Sequence, residues 1–95
     1  MEDGPSVPSQ DTIIEEAKAL KELVERMAMA LVDSPDQVTV DAAEEDNAMV
    51  LRLRVAPSDV GRVIGKQGRT AKAMRTVLHA IAARSKRRAV LEILE

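Results

Sequence analysis

Apolar residues recur at Ile13, Ala17, Leu20, Val24, Met27 and Leu31, in steps of four and three. That spacing predicts an amphipathic helix with one buried stripe, from Thr12 to about Val32. Thr12 with Glu15 forms a capping box that satisfies two unpaired helix-start donors, and Asp33-Ser34-Pro35 stops the helix. The stripe covers under three heptads, so packing on a sheet is expected rather than an extended coiled coil. The period then falls to two. Val38 and Val40 alternate with Thr39 and Asp41, which reads as a short strand, and Glu44-Glu45-Asp46-Asn47 as a turn. Residues 48–55 read as a second strand, with Met49, Leu51, Leu53 and Val55 on one face and Arg52 and Arg54 on the other. Pro57 suits the first position of a short helix through Ile64. Helical spacing returns at Ala71, Met74, Leu78 and Ile81, the buried face of a helix from about Arg69 to Arg84. A basic connector, Arg84-Ser85-Lys86-Arg87-Arg88, leads to a third strand over 89–94. The predicted order is helix, strand, strand, helix, helix, strand, an α+β chain without internal repeats.

Between the second and third helices runs Val63-Ile64-Gly65-Lys66-Gln67-Gly68-Arg69. Glycine adopts φ values other residues avoid and lets backbone approach a bulky ligand. Amides at the start of a helix are unpaired donors at the positive end of its dipole, and favour phosphate. A Gly-Lys-Gln-Gly loop followed by Arg69, Lys72 and Arg75 therefore reads as a clamp for a sugar–phosphate backbone; an ordinary interhelical turn would need only one glycine. Arg69 and Lys72 are the expected phosphate contacts, Lys66 adds charge, and Gln67 can donate to a phosphate or sugar oxygen. Arg62 lies within reach of the loop. Val63 and Ile64, with Val60 and part of the last strand, are expected to offer apolar surface beneath bases, Ile64 facing the ligand side and one other aliphatic serving as core. A solvated helix face is the plainer reading of the charges.

Composition sharpens this reading. The 95 residues hold one domain, residues 12–95, after a Pro- and Ser-bearing segment 1–11 that reads as a disordered tail. Phe, Tyr and Trp are all absent, which excludes RNA-binding folds that stack bases on exposed rings. The absence of cysteine excludes disulfides and thiolate metal sites and fits a cytoplasmic protein. Net charge is only −2, but residues 1–50 hold 3 basic and 13 acidic side chains, and residues 51–95 hold 11 and 3. Such asymmetry suits one face meeting an anion, or one half of the fold neutralising the other.

The element order and the run at 63–69 resemble the type II KH fold, in which three helices cover one face of a three-stranded mixed sheet. The resemblance covers residues 12–95. It is nearest to the small bacterial KH-domain RNA-binding family of the KhpA type. Two positions depart from the usual pattern: alanine stands at 71, often a larger aliphatic, and glutamine at 67, often glycine. The resemblance implies a non-enzymatic protein that holds about four nucleotides of single-stranded RNA, with single-stranded DNA open as well. It implies that Arg87 and Arg88, in the connector with Arg84 and Lys86, border the groove opposite the glycine loop. Main-chain groups near Val90 and Leu91 would read base edges. It further implies an RNA chaperone or post-transcriptional regulator with effects on cell shape and cell-wall biogenesis, acting as a homodimer or with a KhpB/Jag-type KH partner. The alternative is a protein–protein adaptor docking through the acidic first half, against which the loop's freedom from acidic residues argues.

Other motifs carry no chemistry. His79 is a lone histidine on the long helix and reads as structural or solvent-exposed. Glu44-Glu45-Asp46 lacks the glycine and alternating ligands of a calcium loop. The Gly61-x-x-x-Gly65-Lys66 spacing is one short of a triphosphate loop, and glutamine replaces the needed Ser or Thr. No cofactor, metal set or catalytic constellation is expected.

Overall fold

The computed structural model describes the backbone of residues 10–94 and the side chains of residues 14–94. Helix α1 spans Gln10–Leu31, strands β1 and β2 span Thr39–Glu45 and Ala48–Arg54, helices α2 and α3 span Val60–Ile64 and Arg69–Ala83, and β3 spans Arg88–Leu94. The predicted order holds throughout. α1 begins two residues before the expected start, taking in Gln10 and Asp11; an acidic residue in a first helical turn complements the dipole. Most of the expected tail, residues 1–9, falls outside the described residues. Thr12 lies inside α1, two residues past its start, and so is not the helix's N-cap: the capping box expected of Thr12 and Glu15 is not formed at this helix start.

The sheet order is β1-β2-β3. β1 runs antiparallel to β2, pairing Val40 with Leu53 and Ala42 with Leu51. β3 lies parallel to β2, pairing Leu51 with Leu91 and Leu53 with Ile93. A parallel neighbour requires a crossover, and α2 and α3 supply it. The sheet is therefore mixed, and the three helices lie over the face that carries Val40, Met49, Leu51, Leu53 and Leu91. Leu51, Leu53, Leu78, Val24 and Val63 are sealed from solvent; each such side chain contributes about 1.5–3 kcal/mol by leaving water.

Four local expectations are revised. The turn expected over 44–47 is two residues long: Asp46 (φ 50°) and Asn47 (φ 62°) carry the left-handed backbone of a tight hairpin. Glu44 and Glu45 consequently belong to β1, opposite Met49 and Ala48. Helix α3 buries Ala71, Met74, Leu78 and Ala82 rather than Ile81, which is 40% exposed. At 100° per residue, position 82 lies nearer the centre of the buried stripe than 81 does. The short helix expected from Pro57 is divided, Pro57–Asp59 forming a tighter 3-10 turn before α2. The central strand also buries both faces at Ala48 and Val50, where only alternate positions were expected; β1 and β3 flank it on either side.

Candidate nucleic-acid interface

α2 ends at Ile64, and the chain reverses into α3 through four residues. Gly65 has φ 80° and ψ 169°, Gln67 φ 57° and Gly68 φ 74°. The Gly65 amide donates to Gly61 O at 2.8 Å, and the Gly68 amide donates to Gly65 O at 3.0 Å. Three positive φ values in four residues fold the loop into a compact knuckle at the start of α3. Its two glycines serve different ends. A Cβ on Gly65 would meet Thr70 Cβ at 2.7 Å and Thr70 N at 2.8 Å, so this glycine permits the loop to pack on α3. A Cβ on Gly68 would meet nothing within 4 Å. Gly68 is also the N-cap of α3 and supplies no side-chain cap, so the first-turn amides must find other acceptors.

Lys66, Gln67, Arg69 and Lys72 are exposed around the knuckle. Ile64 is half-buried and Val63 completely buried. Val63 belongs to the core cluster and is withdrawn from the groove-lining set; Ile64 is the member of the pair at the surface. Arg62 is also diverted. Its guanidinium lies 3.0 Å from Asp33 Oδ2 and 3.7 Å from Asp59 Oδ1, an acidic pair that offsets its charge.

Asp59 is the functional element the sequence reading missed. Only 1% exposed, its carboxylate accepts from the Asp33 amide at 3.1 Å and the Ser34 amide at 3.0 Å. These amides follow directly on the last turn of α1, whose Val32 amide still donates to Ala28 O, so a single carboxylate fastens the end of α1 to the start of α2. The available signal was an acid next to a helix start, ordinarily taken as a cap for its own helix.

The other wall is β3, an edge strand. Arg75, one helical turn before His79, donates from Nε and Nη2 to Leu91 O at 3.3 and 3.1 Å. Leu91 O thus already accepts from within the fold, and Arg75 is engaged with the strand rather than extended toward the loop. Arg87 pairs with Glu44 across the sheet end, and its side chain is 11% exposed. Among the described residues Arg87 Nε has no hydrogen-bond partner. Arg87, Arg88, Ala89 and Val90 with His79 line a cavity of about 260 Å³. Lys66, Arg69, Lys72, Arg84, Lys86 and Arg88 form no ion pair among the described residues. The basic half of the chain thus divides into committed arginines and a free cationic set flanking α3.

A second concavity, about 310 Å³, lies on the opposite side of α3, lined by Met27, Ala30, Leu31, Thr70, Ala73, Met74 and Val77. It is almost wholly apolar, and Val77 and Ile81 are exposed along the same helix. Among the described residues no helix is long and apolar enough to cross a membrane.

A helix–strand–strand–helix–helix–strand chain with a mixed sheet and a Gly-x-x-Gly knuckle between its later helices is a KH domain of the type II order. A profile of the family described as "KhpA/KhpB, KH domain" matches residues 21–93. The chain is 51% identical over 76 residues to an RNA-binding protein KhpA of Halalkalibacterium halodurans, covering 80% of this chain and 100% of that protein. It is 52% identical over 77 residues to an RNA-binding protein KhpA of Aquifex aeolicus, covering 81% and 98%. The chain belongs to the KhpA/KhpB KH-domain family, a family of binding proteins and not of enzymes. Among solved structures, Aquifex aeolicus Era bound to GDP and aluminium fluoride matches at TM-score 0.53 and 21% identity over 81% of this chain. Era in complex with MgGDPNP and nucleotides 1506–1542 of 16S ribosomal RNA matches at TM-score 0.54 and 21% identity over 97%. The chain spans only 30% and 35% of those two chains, and the likeness is one of fold.

Proposed function

We infer that this protein binds single-stranded RNA in the groove between the α2–α3 knuckle and the β3 edge. The observation that carries the reading is the open left-handed Gly68 at the uncapped start of α3, ringed by Lys66, Arg69 and Lys72. Backbone amides and the helix dipole favour a phosphate there, and the three cations hold its neighbours. Ile64 supplies the apolar floor, and Gln67 a donor to phosphate or sugar. Arg88 borders the groove from the far side. A loop of this kind clamps four nucleotides, and the relatives' names as RNA-binding proteins favour RNA as the ligand.

Four nucleotides give modest affinity, and a second module raises it through effective concentration. The apolar concavity between α1 and α3 offers a surface for a second KH subunit, as homodimer or with a KhpB-type partner. In this reading the protein acts in the cytoplasm as an RNA chaperone or post-transcriptional regulator.

The test is titration of a fluorescent single-stranded RNA at several salt concentrations against wild type and the Lys66→Asp, Gln67→Asp double variant, with circular dichroism confirming the fold. Wild-type binding that weakens with salt, and its loss in the variant, supports the loop as the site. Equal binding by both moves the site to the Arg84–Arg88 connector. No binding by either returns the protein to the adaptor reading.

A further inference from the structure

Helix α2 contains a residue that the fold itself does not account for. Gly61 is the second of its five residues, and its φ lies outside the left-handed region that Gly65 and Gly68 occupy. A Cβ at position 61 would meet nothing within 4 Å. Alanine would therefore fit there without strain. It is also the better helix former, because glycine loses more backbone entropy on folding. Neither a turn nor close packing calls for glycine, so the stability given up at this position is not recovered inside the chain.

The placement of Gly61 indicates what lies against it. Val63 is completely buried and marks the core side of α2. At about 100° per residue, Ile64 and Arg62 flank Val63 on opposite sides. Gly61 is exposed and falls on the outward side, about 60° from Ile64 and about 100° from Arg62. It stands one turn before Gly65, about 6 Å along the axis, and its carbonyl accepts the Gly65 amide. Bare main chain thus continues from the knuckle onto the outer surface of α2. That surface adjoins Ile64 and turns away from the Arg62–Asp33 pair. A nucleic-acid strand is bulky at every sugar, and a sugar packs closely on a helix only where no Cβ stands in its way.

We propose that Gly61 sets the path of the bound strand: the nucleotide next to the phosphate held at the knuckle crosses α2 with its ribose against the main chain of residue 61. The proposal rests on the RNA-binding reading of the groove and adds the direction in which the strand leaves the loop. Because the contact is to sugar, it carries no base preference.

The test measures urea unfolding and RNA affinity for the full chain as wild type, Gly61→Ala and Gly61→Leu, using fluorescent oligouridylate and oligoadenylate at several salt concentrations. Gly61→Ala should raise the urea midpoint and yet bind about threefold more weakly, and Gly61→Leu about tenfold or more. The loss should be the same for both oligonucleotides, since a sugar and not a base is displaced. The slope of log affinity against log salt should keep its wild-type value, since no cation is removed. Unchanged affinity in either variant overturns the path and leaves the groove reading standing. A Gly61→Ala variant less stable than wild type also overturns it, because glycine would then serve the fold. So does a lowered salt slope, which would mean that the knuckle was disturbed rather than the path blocked. A loss confined to one oligonucleotide overturns it as well, by making the contact one to a base. Failure of wild type to bind either oligonucleotide overturns both readings.

Discussion

Thr70 occupies the space a side chain on Gly65 would need, its Cβ and amide nitrogen within 2.8 Å of the position a Cβ would take. The knuckle is thus closed against α3 by the absence of one methyl group, while Gly68, three residues on, faces open space. Gly65→Ala should destabilise the fold by about 2 kcal/mol or more, from the clash and from a left-handed alanine together. Gly68→Ala should cost only about 1 kcal/mol, the left-handed term alone, yet weaken RNA binding more than Gly65→Ala does per unit of lost stability. Urea unfolding and RNA titration on the same two variants check the contrast, and a reversed order would refute it.

Asp59→Ala strands the Asp33 and Ser34 amides that the carboxylate now satisfies. Each lost buried partner costs about 1–3 kcal/mol, so a loss of at least about 2 kcal/mol is expected. Arg62→Ala removes an exposed member of the cluster and leaves the Asp59 hydrogen bonds intact, so it should stay within about 1 kcal/mol. Chemical denaturation of both variants separates a carboxylate that fastens two helices from one that merely pairs with an arginine.

Arg75 and Lys72 are one turn apart and should behave differently. Arg75→Ala uncovers Leu91 O and should cost about 1–2 kcal/mol of stability while leaving the salt dependence of binding nearly unchanged. Lys72→Ala should leave stability alone and lower the slope of log affinity against log salt by about 0.7, one single-strand phosphate contact. Equal slopes for Lys72→Ala and wild type would remove Lys72 from the contact set.

Arg52 donates to Glu45 and to Glu92, each at 2.9 Å, across the outer face of the sheet. The hydrogen bond to Glu45, then that to Glu92, raises its pKa above the ordinary arginine value. A cation whose folded pKa is raised stabilises the fold below its unfolded pKa and loses that contribution only as pH climbs through the folded value. The Arg52→Met penalty should therefore be constant across the neutral pH range and shrink with added salt, as expected of exposed charges. Thermal unfolding at several pH and salt values checks both statements.

Periodicity located α1, β1, β2 and α3, because the residues at 20, 24, 40, 51, 53, 74 and 78 fall on their buried faces; α2 was read from Pro57 and β3 from its place after the basic connector. The glycine knuckle was legible for a similar local reason: two glycines at that spacing answer a backbone requirement. What stayed hidden depends on partners far apart in the chain. Asp59 meets amides 25 and 26 residues away, Arg75 a carbonyl 16 away, and Arg87 a carboxylate 43 away. Nothing in the local run of charges separates those committed arginines from Arg69 or Arg88. Ile64 was expected at the surface with one other aliphatic as core; that the core member is Val63 and not Val60 emerges only from the packing.

The contact between Arg75 and Leu91 O has a consequence for the kind of polymer the groove admits. A bare edge strand is a template that recruits other polypeptides through ladder pairing. With a carbonyl in the middle of β3 held by a guanidinium from α3, a docking peptide would find its ladder interrupted and would have to displace a charged donor to proceed. A strand of nucleic acid makes no such demand, since its affinity comes from phosphates and base edges. In the RNA-binding reading, one helix-borne arginine would thus work as a filter, hindering protein strands at this edge while leaving the cleft beside it accessible.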